Sequence, residues 1–204
     1  MKIVTRVAAI KNLKRYIGKD LRYLAEEFGV TTYETGKQNK GWKGLILEKL
    51  AGLETNISKA PNGLSFELKS VSFHYVKGKL VPKETMAITM INPEELKKHS
   101  FFESHCWNKL KSMVFCAVMW HGRNSESAEL LKVESLDFAE DDKLIKEIKV
   151  DYDFIRTKLI TAGFKSLTGR DGKWMQARTK GAGHGSTSRA FYARTKLIKE
   201  MFDL

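Results

Sequence analysis

Met113-Val114-Phe115-Cys116-Ala117-Val118-Met119-Trp120 is an unbroken apolar run of strand length. Side chains of a strand alternate between two faces, so such a run needs apolar cover on both sides, the situation of a central strand in a sheet flanked by helices. Apolar residues at 13, 16, 17, 21, 24, 25 and 28 predict one or two amphipathic helices, interrupted near Gly18, with Asp20 as N-cap of the second and Gly29 as its stop. Leu45–Gly52 predicts a short apolar helix ended by glycine, and Thr195–Phe202 a C-terminal helix. Leu144, Ile148, Tyr152, Ile155 and Leu159 give the acidic stretch 138–160 the spacing of a long helix whose charges form its solvated face. Residues 62–75 predict a strand, Lys77-Gly78-Lys79 a hairpin turn, and Glu84–Met90 a strand broken by Asn92-Pro93. His105–Leu110 reads as helix or turn, Trp174–Ala177 as a short strand, and Ser188 onward as strand or turn. The expected class is α/β (α+β), a central mixed sheet flanked by helices.

Within the 62–75 segment, Glu67 and Lys69 share one face while Phe66 and Leu68 take the other. A carboxylate beside an ammonium at the rim of a sheet, with Asn62 just upstream, suits metal-assisted phosphodiester hydrolysis. The carboxylate holds a divalent cation, the cation makes hydroxide from bound water, and the lysine orients it. The same triplet also fits a surface strand with an exposed ion pair. Glu48 lies inside the 45–52 helix, where a buried carboxylate would need a partner or a metal, unless it simply faces water.

Positive charge is concentrated towards the C-terminus. From Thr161 onward there are nine Lys/Arg against three Asp/Glu, whereas residues 121–160 carry seven against ten, on a chain of 204 residues with net charge +12. The positive segment contains Arg178, Lys180, His184, Arg189 and Tyr192 around a glycine-rich loop, a set of donors and rings suited to phosphates and base edges. A nucleic acid is the expected partner. The loop lacks the Walker and dinucleotide patterns, which argues against NTP or NAD binding. His184 in that loop fits a nucleic-acid contact better than a catalytic base. Cys106 and Cys116 lie in or beside apolar segments without metal-ligand spacing and read as reduced core residues. No apolar run approaches a membrane span, and the expected location is cytoplasmic.

Six stretches occur together in order: Lys40-Gly41-Trp42-Lys43-Gly44-Leu45-Ile46-Leu47-Glu48, Phe66-Glu67-Leu68-Lys69-Ser70, Glu84-Thr85, Glu103-Ser104-His105 with Asn108-Lys109-Leu110-Lys111, Gln176-Ala177-Arg178-Thr179-Lys180, and Arg189-Ala190-Phe191-Tyr192. From about Lys11 to the C-terminus the chain resembles the MutH-type endonucleases, the mismatch-repair enzyme and its GATC-cutting restriction relatives within the PD-(D/E)xK superfamily. The resemblance implies a single restriction-endonuclease-like domain over 1–204, with a catalytic lobe mainly in 11–120 and a DNA-recognition part mainly in 161–204, two lobes forming a DNA cleft. It implies Mg²⁺ as cofactor, Glu67 as a metal ligand, the Leu68 carbonyl as a further ligand, Lys69 as catalytic lysine, Glu48 as accessory carboxylate and Lys109 as a positive group near the scissile phosphate. Lys40 matches a DNA-contacting lysine, Glu84 a groove-facing residue, and Arg178, Lys180 and Tyr192 the positions that read bases and sense adenine methylation.

Two positions depart from the family pattern. Asn62 stands where an acidic ligand is expected, with a shortened spacing to Glu67. A neutral ligand weakens divalent-cation binding. Three explanations fit: an Asp-to-Asn change that inactivates the enzyme, a natural variant using Glu48, or a relative that only binds DNA. Pro61 preserves the Pro-Asp look and favours the first. Ala87 replaces an aromatic that probes DNA. The loop 179–184 departs from the repair protein, so the sequence reading is a type II restriction endonuclease acting at a short site, GATC favoured, as a monomer or DNA-induced dimer with a cognate DNA methyltransferase in the same cell. The alternatives are a MutH-like mismatch-repair nickase and a catalytically silent, sequence-specific DNA-binding protein.

Overall fold

A computed structural model of the chain describes residues 4–31, 33–34, 37–38, 41–53, 65–122, 127–181 and 187–202. Its elements run α1 (Arg6–Lys14), α2 (Leu21–Glu27), β1 (Tyr33–Glu34), β2 (Lys37–Gln38), α3 (Trp42–Ala51), β3 (Glu67–Val76), β4 (Lys79–Pro82), β5 (Met86–Met90), α4 (Pro93–Lys98), α5 (His105–Leu110), β6 (Ser112–Met119), β7 (Leu130–Asp137), α6 (Lys143–Ala162), β8 (Met175–Thr179), β9 (Arg189–Ala193) and α7 (Thr195–Phe202). The mixed α+β class is as expected, and the arrangement is restriction-endonuclease-like. The chain forms two compact units, one from residues 1–83 and 112–136, the other from 84–111 and 137–204.

In the first unit the sheet order is β4-β3-β6-β7, with β3 antiparallel to β4 and parallel to β6. The apolar run forms β6 in the interior of this sheet, and every residue from Met113 to Met119 is buried. Parallel neighbours need a long connection, and here the chain builds β5, α4 and α5 of the second unit before Ser112 begins β6. Leu13, Leu21, Trp42, Ile46, Leu47, Phe66, Leu68, Val114, Cys116 and Val118 belong to one core between helices and sheet. Asp20 caps α2 by accepting from the Arg22 amide at 2.7 Å. Burial raises its pKa, but hydrogen bonds from Ser127 and from the Arg22, Ala128 and Tyr23 amides outweigh that and hold its carboxyl below the usual aspartate range. Gly52 closes α3 in the left-handed region at φ +82°.

The second unit has an antiparallel sheet, β5-β9-β8, against which α6 supplies an aromatic anchor. Tyr152 stacks on Phe191 with ring centroids 5.4 Å apart, and burial pushes its phenol up to about 12. The acidic stretch is not all solvated face. Asp151 is buried and accepts the amides of Lys173, Trp174 and Met175 at 2.7, 2.6 and 2.8 Å. Gly172 is required in the same turn: its φ is +81°, and a Cβ there would lie 1.9 Å from the Met175 carbonyl oxygen. Asp151 therefore fixes where β8 begins. The strand β7 has no counterpart in the sequence expectations, because its burial is irregular and charged residues such as Lys132 and Glu134 interrupt the apolar pattern.

Asp151→Asn keeps the shape but presents an amide to three N–H donors. We expect a loss of about 2–4 kcal/mol of stability, in the range of a broken buried network, read by urea denaturation.

Candidate active site

Strand alternation puts Phe66 and Leu68 into the core and leaves Glu67 and Lys69 together on the opposite face. Glu67 is only 2% exposed, and Lys69 Nζ lies 2.7 Å from its Oε1. An exposed surface ion pair is thereby ruled out as a description of Glu67. Taking a carboxylate out of water costs several kcal/mol unless positive charge compensates, and Lys69, still partly exposed, supplies such a charge. The register Glu67↔Met113 and Lys69↔Phe115 against the fully buried β6 pins both positions along the strand.

Glu48 comes to the same place from α3. It is half-buried, and its pKa is raised first by burial and then by the charge of Glu67, with Lys69 acting in the opposite direction. It also sits in the last turn of its helix, where the backbone dipole opposes a negative charge. Glu48, Glu67, Leu68 and Lys69 are thus joined in the first unit. The helix pattern alone could not decide whether Glu48 faces water; in the fold it is half-buried, within electrostatic reach of Glu67 and Lys69.

Two oxygen-donor carboxylates with mutual repulsion suit a hard divalent cation, which would relieve both the repulsion and the desolvation. The set is incomplete among the described residues, where no group of three or more His, Cys, Asp or Glu could hold a metal. Asn62 lies outside the described residues, as do Lys40 and His184.

The remaining predicted residues belong to the second unit. Lys109 lies in the last turn of α5. Arg178, exposed on β8, donates to Thr85 Oγ1 at 3.1 Å and lies over the Tyr192 ring at 5.0 Å. Tyr192 occupies the central strand β9, paired with Ala87 on one side and Gln176 on the other. Arg178, Thr85 and Tyr192 therefore form one cluster, and Glu84 is exposed next to Thr85 in the chain. Thr85 is a cluster member that the sequence reading quoted in the Glu84-Thr85 stretch but gave no role. Arg189 is engaged differently. Its Nε donates to the Leu167 carbonyl at 3.0 Å and its Nη1 to the Thr187 carbonyl at 3.1 Å, and it lies over Phe164, so its geometry ties loop to strand. Lys180 is exposed just beyond β8, and its amide donates to the Ser188 carbonyl at 3.0 Å.

Residues 54–147 match the family described as DNA mismatch repair enzyme MutH. A "DNA mismatch repair protein MutH" of Vibrio campbellii is 27% identical over 186 residues, covering 90% of this chain and 80% of its own length. The protein of the same name from Vibrio cholerae is 24% identical over 199 residues, with 97% and 88% covered, and one from Escherichia coli is 26% identical over 184 residues, with 89% and 78% covered.

A raised pKa means that the folded state binds the Glu48 proton more tightly than the unfolded state does. Folding stability therefore falls as pH rises from the ordinary glutamate range through the elevated Glu48 value. Glu48→Gln should raise the melting temperature at neutral pH without divalent cations and lose that advantage at pH values below the ordinary glutamate range. Thermal scans at several pH values check this.

Proposed function

The chain belongs to the MutH-type endonuclease family, and on that footing we propose that it hydrolyses phosphodiester bonds of double-stranded DNA at a short site, using Glu67, Lys69 and Glu48. The observation that carries this reading is the buried Glu67 paired with Lys69 at 2.7 Å, with Glu48 electrostatically coupled to both. The relatives' names favour a repair-type, strand-nicking enzyme over the stand-alone type II restriction enzyme expected from the 179–184 loop. GATC is the favoured site, and a monomer suffices for nicking a single strand. Restriction of both strands would require a DNA-induced dimer or successive nicks, with a methyltransferase protecting the host.

Each side chain has a physical task. Glu67 and Glu48, with the Leu68 carbonyl, would hold the divalent cation, for which Mg²⁺ is the proposed choice. That ion would supply charge neutralisation at the phosphate and a bound water of lowered pKa. Lys69 holds the Glu67 carboxylate in one orientation and offers its remaining N–H donors to the attacking water. Lys109 carries positive charge for the scissile phosphate. In the second unit, Arg178 is suited to bidentate recognition of a guanine edge, and its position over Tyr192 restricts the guanidinium plane. Lys40, Glu84, Lys180, His184, Arg189 and Tyr192 complete the proposed DNA-contacting set.

Glu67→Gln is a sharper test than Lys69→Ala, because removing the lysine strands a buried charge at a cost of about 3–5 kcal/mol. With Mg²⁺ and plasmid carrying unmethylated or hemimethylated GATC sites, Glu67→Gln should abolish nicking and keep DNA affinity within about 1–2 kcal/mol. Full activity in that variant would remove the proposed site. Asn62→Asp should increase turnover if position 62 completes the ligand set; equal rates would make Glu48 the sufficient second carboxylate. Arg178→Ala should reduce discrimination between cognate and altered sites by about 1–3 kcal/mol per misread base, measured by competition binding, whereas equal weakening on every sequence would make Arg178 a phosphate contact.

A further inference from the structure

The β3–β4 hairpin holds a surface that the active-site residues do not use. Between Glu67 and Glu84 there is no acidic residue, while Lys69, Lys77, Lys79 and Lys83 all fall in that interval. At the tip, Tyr75 is 63% and Val76 46% exposed, and Lys77, Gly78 and Lys79 are exposed as well. Behind the tip, Lys83 Nζ lies 4.5 Å from the Trp120 ring centroid, and His74 meets the same ring edge-on at 5.9 Å. All of these belong to the first unit.

The turn itself carries a second, independent signal. Val76 pairs with Lys79, so Lys77 and Gly78 form a two-residue loop, and their φ values are +50° and +77°. Left-handed conformations at both positions define the turn for which Asn-Gly is the best sequence. Lys77 is the only non-glycine residue with positive φ among the described residues. A lysine there is strained by its Cβ, and nothing local compensates for that strain in the way an asparagine side chain would. The sequence thus places a cation where backbone preference asks for Asn, Asp or Gly.

We propose that the hairpin tip, through Lys77 and Lys79 with Tyr75 beside them, is a second DNA-backbone contact that grips phosphates flanking the cleavage site. The inference rests on the DNA-endonuclease reading above. One continuous strand joins the two places: from Glu67 to Val76 there are nine residue steps, about 30 Å at roughly 3.3 Å each. At about 3.4 Å of duplex per base pair, the gripped phosphates lie within roughly nine base pairs of the cut. Two lysines and an exposed tyrosine suit the sugar-phosphate backbone, and the contact adds affinity without sequence preference.

The test compares the full-length wild type with Lys77→Asn, Lys77→Asn/Lys79→Gln and, as a control for charge alone, Lys132→Gln on the opposite edge strand of the same sheet. Binding to a 30-base-pair duplex in EDTA is measured across a salt series, together with melting temperature. Lys77→Asn should melt about 2–4 °C higher, because the turn is relieved, and yet bind on the order of tenfold more weakly at 50 mM salt, with a salt slope shallower by about 0.9. The double variant should lose about twice that slope, and Lys132→Gln should match the wild type. Unchanged DNA binding in both hairpin variants would overturn the proposal while leaving the nuclease reading intact, as would an equal loss in Lys132→Gln. A wild-type chain that binds no duplex at any salt would overturn both.

Discussion

A carboxylate buried at the start of an interior strand sets the terms for the rest of this protein. Glu67 is placed by the parallel register of β3 on β6, and β6 is fully buried between Met113 and Met119, so neither strand can slip without turning core residues outward. With that position fixed, the cost of the buried charge requires Lys69 beside it. Glu48 then arrives from α3 as a second negative group that the pair only partly compensates. Two carboxylates against one ammonium leave negative charge in a half-dry site, which a divalent cation would neutralise.

The second unit solves a different problem. The base-reading proposed for it needs side chains that are exposed yet held in one orientation, and long cations ordinarily are not. Here Arg178 is steadied by Thr85 and by the face of Tyr192, on strands whose register is set by β9. The start of β8 is in turn fixed by Asp151, which gathers three successive amides, and by Gly172, whose missing side chain lets the turn close. A buried acid on a helix thus bears on the position of an exposed arginine on a strand, 27 residues further along the chain.

The two-residue turn at Lys77-Gly78 shows local preference overridden. Its backbone would be easier for asparagine, as the hairpin geometry makes plain, and the charge that stands there instead continues the acid-free stretch between Glu67 and Glu84. Glu67 and Lys69 share one strand with Tyr75 and Val76, so the hairpin tip is held at a fixed reach from the proposed active site.

Local rules were enough for much of this. Strand periodicity put Glu67 and Lys69 on one face, an unbroken apolar run announced β6, and Asp20, Gly29, Gly52 and the Lys77-Gly78 turn marked element ends, because caps, turns and side-chain alternation depend on near neighbours. The ordered motifs carried the family. Tertiary structure alone decided whether Glu48 met water or Glu67, that Asp151 left the solvated face of its helix to hold β8, that Arg189 tied itself to loop carbonyls, that Thr85 joined Arg178, and that a strand formed at Leu130–Asp137 from an unpromising pattern. Each of these rests on which distant atoms come within a few ångströms, and burial, desolvation and charge coupling are set by those neighbours rather than by spacing along the chain.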